Sequence, residues 1–416
     1  MTNNLRSLAV TILLALASLP VFPQWTQRQS LPGAERTFAT GFTINNTIYV
    51  MCGYDGALLL DDVWAYDPAT DTWTQKAAFP GGNRAASTAF TIGSKAYMGT
   101  GGNGNNYLKD FWEYEPVTDS WTQMADFPGY ERDEAVSFSI GNKGYLGTGK
   151  TFVVGPNGSS TTTYDDFYEY DPATNLWTQK ASLPGPSRAY AVASVIGNKG
   201  YLGLGGNDDQ SASYTDFYEY DPNNDSWTAI ASMGGSGRAD AGVVTNGTNM
   251  YVIGGINFPS FVGVSGCRMY DATTNTWTIG PAFNPGIIIA PVVQKANGRV
   301  FAGTGYYGSI VPRKDWWEFT TLPTSVSTLE NEDSFVYPNP FTNELILNLK
   351  NKMEGQKIEL TDLNGRLIYS NLQKNASGES IKINTADLSG GIYFLLIRND
   401  SGEITASKKI IKSSIN

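Results

Sequence analysis

The chain has 416 residues with a formal charge of -10, and it contains 45 glycines, 20 prolines and no histidine. Charged residues make up 16% and aromatic residues 12%, which excludes a coiled coil, a charge-rich disordered chain and a polytopic membrane protein and favours turn-rich β structure. The length predicts at least two domains, and the acidic charge disfavours nucleic acid as a partner.

The absence of histidine removes a large share of enzyme chemistry. It excludes Ser-His-Asp and Cys-His nucleophile pairs, histidine-ligated zinc, copper or iron, and imidazole bases. The two cysteines, Cys52 and Cys267, form neither a disulfide framework nor a metal-binding CxxC pair, and they are predicted to be buried core residues. We therefore predict no metal and no cofactor.

Residues 1–24 have the pattern of a secretory signal peptide. Arg6 precedes an apolar stretch from Leu8 to Leu19 that is too short to span a bilayer, and Ala15 and Ala17 fit the small-residue rule for cleavage. A cleavage site nearer Gln24 is also compatible with the sequence. The mature protein is predicted to be exported and to have no transmembrane segment.

A repeat of about 50 residues occupies the central part of the chain. Its most regular marker is a tryptophan that recurs at intervals of 48 to 56 residues. The six tryptophans are Trp25, Trp73, Trp121, Trp177, Trp227 and Trp277. Eleven residues after each of the first five lies an arginine. The arginines are Arg36, Arg84, Arg132, Arg188 and Arg238, and Ile288 takes this place in the sixth repeat.

Each repeat also contains two aromatic strands. The first strand has an aromatic residue followed four residues later by glycine, and these glycines are Gly53, Gly101, Gly149, Gly205, Gly255 and Gly305. The second strand usually reads Asp-Phe-(Trp/Tyr)-Glu-Tyr and ends on a further aromatic residue. All length variation lies between the glycine and this second aromatic residue. Insertions therefore collect in one type of loop.

These motifs over residues 25–319 resemble those of kelch repeats, and the resemblance implies an all-β fold with a six-bladed kelch β-propeller. The sixth repeat supplies three strands but lacks a tryptophan strand of its own. Trp25, Thr26 and Gln27 form an extra strand at the other end of the repeat region. We expect this N-terminal strand to complete the last blade and to close the ring.

Residues 320–335 carry Thr, Ser, Pro and acidic residues without a sustained period, and they are predicted to be a linker. Residues 336–416 alternate polar and apolar positions between Asn-Gly and Gly-Gly turns. This alternation predicts a small β-sandwich of about seven short strands.

Four motifs of this last segment resemble the type A C-terminal sorting domain of the type IX (Por) secretion system. They are YPNP at 337–340, DLNGR at 362–366, LSGGIY at 388–393 and KKIIK at 408–412. The resemblance implies that residues 336–416 contact the type IX secretion machinery and that the protein is secreted or displayed on the outer surface of a Gram-negative cell. An ordinary accessory sandwich is the alternative interpretation.

The variable loops and the arginine segments are predicted to open on one face of the ring, because successive strands of a blade reverse direction. Aromatic loop side chains are suited to stacking on sugars or peptides, and the candidate binding residues are Tyr54, Tyr107, Tyr214, Phe258 and Tyr306. The five arginines are further candidates. Each alone resembles a kelch scaffold residue that binds loop carbonyls or an acidic side chain, but together they are expected to form an anion-attracting funnel.

The preferred interpretation is a glycan- or protein-binding module. The alternative is a metal-independent carbohydrate-active enzyme, because the chain resembles the six-bladed kelch sialic-acid mutarotase/epimerase family, in which acid-base residues lie at the channel mouth. The repeated Glu113, Glu169, Glu219 and Glu318 are interpreted mainly as partners between blades, and no catalytic pair is assigned. A purely structural surface-layer component is a third possibility. Residues 287–289 are three isoleucines that either plug the channel or form an apolar wall.

Overall fold

The structure is a computed structural model that describes residues 24–413, apart from 156–157, 208, 281–282, 284, 308, 321–326, 329–333, 350–356, 363–366, 373–379 and 399–403. Residues 1–23 of the expected signal peptide and most of the expected linker lie outside this description. Every regular element within the described ranges is a β-strand. The same ranges contain no helix with the length and apolar character needed to cross a membrane.

Six antiparallel sheets of four strands follow one another over residues 24–320 and form six blades. We name the strands a to d from the innermost outwards. In the order a to d, blade 1 consists of Thr40–Ile44, Thr47–Met51, Val63–Asp67 and Thr72–Lys76. Blade 2 consists of Thr88–Ile92, Lys95–Gly99, Phe111–Glu115 and Ser120–Gln123. Blade 3 consists of Val136–Ile140, Lys143–Gly147, Phe167–Asp171 and Leu176–Lys180. Blade 4 consists of Val192–Ile196, Lys199–Gly203, Phe217–Asp221 and Ser226–Ile230. Blade 5 consists of Gly242–Asn246, Asn249–Ile253, Cys267–Asp271 and Thr276–Ile279. Blade 6 consists of Val292–Ala296, Arg299–Gly303, Trp316–Thr320 and Gln24–Arg28.

The blades form a closed ring, because the a strand of each blade contacts the a strand of the next and the sixth contacts the first. The last blade takes its outermost strand from the N-terminal segment, which pairs antiparallel with Trp316–Thr320 and sets Trp25 opposite Phe319. Trp25 is 5% exposed, and its ring centroid lies 4.7 Å from that of Phe283 and 5.1 Å from that of Phe319. The predicted six-bladed ring and its closure by Trp25 are thus confirmed.

Backbone hydrogen bonds link each blade to the next near the loops. The N–H of the repeated glycine donates to the carbonyl of the residue at the arginine position of the following blade, as from Gly53 to Arg84 at 2.8 Å. The series closes because the Gly305 N–H donates to the Arg36 carbonyl at 2.9 Å. Gly53 has a φ of +102°, and a Cβ there would lie 2.8 Å from the Thr37 carbonyl oxygen, so a larger residue would strain this contact.

Aromatic side chains fill the interfaces between blades. Tyr49 of blade 1 meets Tyr114 of blade 2 with ring centroids 5.5 Å apart, and Phe111 of blade 2 meets Trp177 of blade 3 at 4.9 Å. The Trp177 indole N–H also donates to the Ala125 carbonyl, which follows the outer strand of blade 2, at 3.0 Å. The repeated tryptophan of a blade thus packs against the preceding blade, as Trp177 shows. Cys52 and Cys267 are buried and unbridged, as predicted.

The C-terminal segment forms two sheets around a separate core that includes Phe341, Leu345, Leu360 and Leu395. The five-stranded sheet contains, in spatial order, Ser327–Thr328, Ile404–Lys412, Gly391–Arg398, Lys357–Asp362 and Leu367–Leu372. The three-stranded sheet contains Ser334–Tyr337, Glu344–Leu349 and Ser380–Asn384. The alternating pattern of the sequence therefore produces the expected small sandwich, and Ser327–Thr328 of the expected linker pairs with its last strand.

Candidate functional site

A cavity of about 1160 Å³ opens among the b-to-c loops and the segments that lead into the a strands. It lies where the sequence places the variable loops, and five of the six blades contribute a residue from the segment after the repeated arginine position. Three short hairpins extend the surrounding loops, and they are Lys150–Gly155 with Gly158–Thr163, Ile256–Asn257 with Val262–Gly263, and Tyr306–Tyr307 with Ser309–Pro312. The ring thus forms a concave site of ligand size.

One position of the repeat recurs in the lining of this site. It lies two residues after the repeated arginine, and its occupants are Phe38, Ala86, Glu134, Tyr190, Asp240 and Ala290. All six have a φ between 49° and 60°, and all except Ala290 line the cavity. Their backbones are hydrogen-bonded to neighbours, as from the Glu134 N–H to the Ala86 carbonyl at 3.1 Å. The six blades therefore share one backbone geometry at this position, and five of them present a different side chain to the cavity.

Three carboxyl groups and one ammonium group meet in the cavity. They belong to Asp133, Glu134 and Asp240 and to Lys150, whose Nζ lies 3.9 Å from the Asp133 carboxylate. Burial raises the pKa of Asp240 to about 7, an effect that Lys150 opposes and Asp133 reinforces. Burial, partly offset by Lys150, raises the pKa of Asp133 to about 6. Burial together with Asp240 and Asp133 holds the pKa of Glu134 well above its usual range. The Asp133 and Asp240 carboxyl groups are therefore expected to bind and release protons near neutral pH.

Aromatic side chains border this polar cluster. The ring of Tyr190, which is 6% exposed, lies with its centroid 4.7 Å from the Lys150 Nζ and 5.6 Å from the ring of Phe258. The Gln210 side-chain amide donates to the Tyr190 hydroxyl at 2.9 Å. Of the predicted binding residues, the structure brings four together in the cavity lining, and these are Tyr54, Tyr107, Phe258 and Tyr306. The fifth, Tyr214, packs outside the lining, where the Arg188 guanidinium lies 4.9 Å from its ring centroid.

The five arginines do not form the expected funnel of free cations, and this expectation is corrected. None of Arg36, Arg84, Arg132, Arg188 and Arg238 lines the cavity, and all are buried. The first four each form a two-pronged ion pair with the aspartate that precedes the c strand of the same blade. The pairs are Arg36 with Asp62, Arg84 with Asp110, Arg132 with Asp166 and Arg188 with Asp216. A paired guanidinium has its charge neutralised locally, so it does not attract anions to the channel.

Two further expectations are corrected. The repeated glutamates bind within their own blades: Glu113 accepts a hydrogen bond from the Tyr97 hydroxyl at 2.7 Å, and Glu219 accepts one from Tyr201 at 2.7 Å. The isoleucines at 287–289 neither plug the cavity nor line it. Ile288 packs in the core with Trp25 and Ile289 packs near Phe258, because apolar side chains replace the buried arginine of the other blades.

Sequence reasoning missed the polar residues of the cavity. Asp133, Glu134, Lys150 and Asp240 stand at positions that are aligned between repeats but occupied by different residue types. Lys150, for example, directly follows the repeated glycine, where Tyr54 and Tyr306 stand in blades 1 and 6. The signal that could have found them was therefore variation of residue type at a fixed distance from the repeated arginine position and the repeated glycine.

The raised pKa of Asp240 predicts a specific pH dependence of stability. The pKa of Asp240 is about 7 in the folded protein, whereas the ordinary value is 3.8. Between these two pH values the folded protein keeps a proton on Asp240 that the unfolded chain releases. The free energy of unfolding therefore falls as pH rises through this range, and Asp240→Asn is expected to stabilise the protein by roughly 1–3 kcal/mol at pH 8. Denaturant unfolding at pH 4 and pH 8 measures this, and the gain should disappear at pH 4.

Asp171→Asn is the matched control for that measurement. The Asp171 carboxylate pairs with the Lys143 Nζ at 2.6 Å, and this hydrogen bond lowers its pKa. The control should show no gain at pH 8. Equal stability of Asp240→Asn and the native protein at pH 8 would contradict the raised pKa.

The fold and the cavity define a six-bladed β-propeller of the kelch type with a ligand-sized site on its loop face. Residues 21–261 match the Attractin/LZTR1 beta-propeller family, and since this is more than half of the chain, the protein belongs to that family. Residues 335–413 match the secretion system C-terminal sorting domain. That domain implies export by the type IX secretion machinery.

A solved structure described as "Structure of YjhT" superposes with a TM-score of 0.63 at 19% sequence identity. The superposition covers 72% of this chain and 99% of the other. At this identity the likeness shows the fold alone. No curated protein gives a significant match. Among the described residues, no three Asp, Glu, Cys or His side chains are grouped so that they could hold a metal ion.

Proposed function

We propose that the protein is an exported carbohydrate-binding propeller that takes an uncharged sugar chain into its loop-face cavity. The observation that carries the proposal is the meeting of aromatic rings with hydrogen-bonding side chains in one concavity of about 1160 Å³. Rings stack on the apolar C–H faces of sugars, while carboxylates and hydroxyls bind sugar hydroxyls and fix their orientation. The proposed place of action is outside the cell or on its outer surface.

The shape of the site favours a sugar chain over a protein partner. Protein interfaces are generally broad surfaces, whereas the candidate residues here line a recess formed by loops of all six blades. The recess exceeds the size of a typical single-metabolite pocket, so several sugar units can be accommodated. This supports a glycan as the ligand.

The charge of the site favours an uncharged ligand. Among the described residues, its lining contains four acidic side chains, Glu131, Asp133, Glu134 and Asp240, and one cation, Lys150. An anionic sugar would meet a site of the same sign, even with part of the cluster protonated. We therefore expect neutral glycans to bind with higher affinity than sialic acid.

Glycan-array binding by the full chain tests the proposal. Tyr107→Ala is expected to weaken binding of a neutral glycan by about tenfold or more, because it removes a stacking surface from the cavity. Tyr130→Ala is the control, since Tyr130 is 70% exposed and stacks on Tyr164 outside the cavity lining. Absence of glycan binding by the native protein, or an equal loss of affinity in both variants, would contradict the proposal.

The same assay separates binding from catalysis. The carboxyl cluster with raised pKa values is also suited to moving a proton on a bound sugar, which favours acid-base catalysis as the second candidate function. Retained binding without change of the sugar supports a binding module. Anomer exchange or epimerisation that Asp240→Asn abolishes while binding persists supports the enzyme instead.

A further inference from the structure

Blade 5 differs from its neighbours at the buried arginine. In blades 1 to 4 the guanidinium pairs with an aspartate, as between Arg84 and Asp110 at 2.7 and 2.8 Å. In blade 5 the residue at the aspartate position is Gly266. The Arg238 Nη1 instead donates to the carbonyls of Gly254 and Gly266 at 3.2 and 2.7 Å. Among the described residues, Arg238 forms no ion pair with a carboxylate.

A second exchange accompanies the first. Two residues after the aspartate, the other blades carry an aromatic side chain, and Trp112 for example donates its indole N–H to Asp110 at 2.7 Å. Blade 5 carries Arg268 at this position. Loss of the carboxylate is therefore combined with gain of a second cation at the same place in the blade.

Blade 6 shows how a lost partner is replaced. Ile288 stands in the arginine position there, yet the carboxylate Asp315 is retained. It accepts hydrogen bonds from the Arg313 Nε at 2.9 Å, the Tyr307 hydroxyl at 2.8 Å and the Trp317 indole at 2.5 Å. Blade 6 thus supplies a cation from its own loop, whereas the described part of blade 5 supplies no anion.

The two guanidinium groups of blade 5 lack a nearby negative charge among the described residues. Arg238 is 5% exposed, and burial lowers its pKa, with the nearby positive charge of Arg268 adding to this effect. A buried cation without a counter-charge is costly, and an unpaired guanidinium is shaped to bind a carboxylate through two parallel hydrogen bonds.

The geometry leaves room for a carboxylate where the other blades carry one. An added Cβ at Gly266 would lie 3.6 Å from the Arg238 Nη2 and 3.8 Å from the nearest Val264 carbon, which are ordinary contact distances. The corresponding aspartate of blade 1, Asp62, has a side chain that is 22% exposed, so this position is open to solvent in the repeat.

We infer that blade 5 contains an anion site in which Arg238 and Arg268 bind a small free carboxylate in place of the missing aspartate side chain. The site is separate from the loop-face cavity, since neither arginine nor Gly266 lines that cavity. A carboxylate bound there would restore to blade 5 the ion pair that holds the arginine segment to the c strand in blades 1 to 4.

Thermal unfolding of the full chain in formate tests this inference. Sodium formate replaces sodium fluoride at constant ionic strength, and the native protein is expected to gain about 2–4 °C in Tm at saturation. Gly266→Asp supplies an internal carboxylate, so it should raise the Tm without formate and abolish the response to formate. Gly266→Ala is the matched control, because it adds only the Cβ and should keep the response.

Arg268→Met provides a second measurement that does not depend on the Gly266 variants. It removes one guanidinium and should raise the formate concentration at half effect by about tenfold. A formate response of the native protein that persists unchanged in Gly266→Asp would overturn the inference. So would an equal stabilisation by chloride, which would indicate a general anion effect, or the absence of any response to formate in the native protein.

Discussion

Trp25→Ala is expected to lower the free energy of unfolding of the propeller by about 3–5 kcal/mol, the usual cost of removing a large buried aromatic side chain. Trp25 is 5% exposed and packs against Phe283 and Phe319 in the blade that joins the two ends of the ring. The change therefore leaves a cavity in the outer part of blade 6 and weakens the strand that closes the ring. Denaturant unfolding followed by tryptophan fluorescence and circular dichroism measures the loss.

Thr26→Ala is the matched control for this measurement. Thr26 lies in the same strand but its side chain is exposed, so its removal should change the stability little. Comparable losses in the two variants would mean that burial of the Trp25 ring does not determine the contribution of this strand to stability. An unchanged stability of Trp25→Ala would contradict the closure of the ring by this residue.

Arg84→Ala is the second large effect, with an expected loss of about 3–5 kcal/mol in the free energy of unfolding. The substitution removes the two hydrogen bonds that Arg84 donates to the half-buried Asp110 carboxylate at 2.7 and 2.8 Å and the one that it donates to the Thr100 carbonyl at 3.0 Å. It removes a scaffold contact and no atom of the cavity lining. We therefore expect folded Arg84→Ala at low temperature to retain its affinity for the cavity ligand.

Lys143→Ala is the control, because it also breaks an ion pair, at 2.6 Å with Asp171, but the Lys143 side chain is 36% exposed. A partly exposed pair contributes little, so no clear change in Tm is expected. Equal Tm losses for the arginine and the lysine variants would argue that burial does not determine how much each ion pair contributes to stability. Loss of ligand affinity in folded Arg84→Ala would place the arginine in the binding site after all.

The architecture could be predicted from the sequence because it is encoded six times. The Trp, Arg and Gly positions recur at nearly fixed spacing, because their residues have backbone or packing roles that are repeated from blade to blade, such as that of the left-handed glycine at Gly53. Ring closure could also be predicted by counting strands. The sixth repeat lacks its fourth strand, and the N-terminal segment with Trp25 is an additional strand before the first repeat.

The site could not be read in the same way, because its residues are those that differ between blades. Glu134, Tyr190 and Asp240 occupy one position of the repeat, and nothing in their separate sequence contexts shows that the ring brings them to one cavity. Conversely, the recurrence of the arginines suggested a shared function at the channel, whereas burial beside an aspartate gives them a structural role. The partner aspartate lies 26 to 34 residues away in the first three blades, beyond any local pattern.

Closure by the N-terminal strand also bears on how the propeller folds. Gln24 and Thr320 pair although almost the whole propeller sequence separates them, whereas the other three strands of blade 6 lie within 29 residues of one another. Contacts between such distant segments form late, because the entropy of closing the intervening chain must first be overcome. Blades 1 to 5 contain all their own strands and can assemble locally. We therefore expect the pairing of the N-terminal strand with Trp316–Thr320 to be the last step in folding of the propeller.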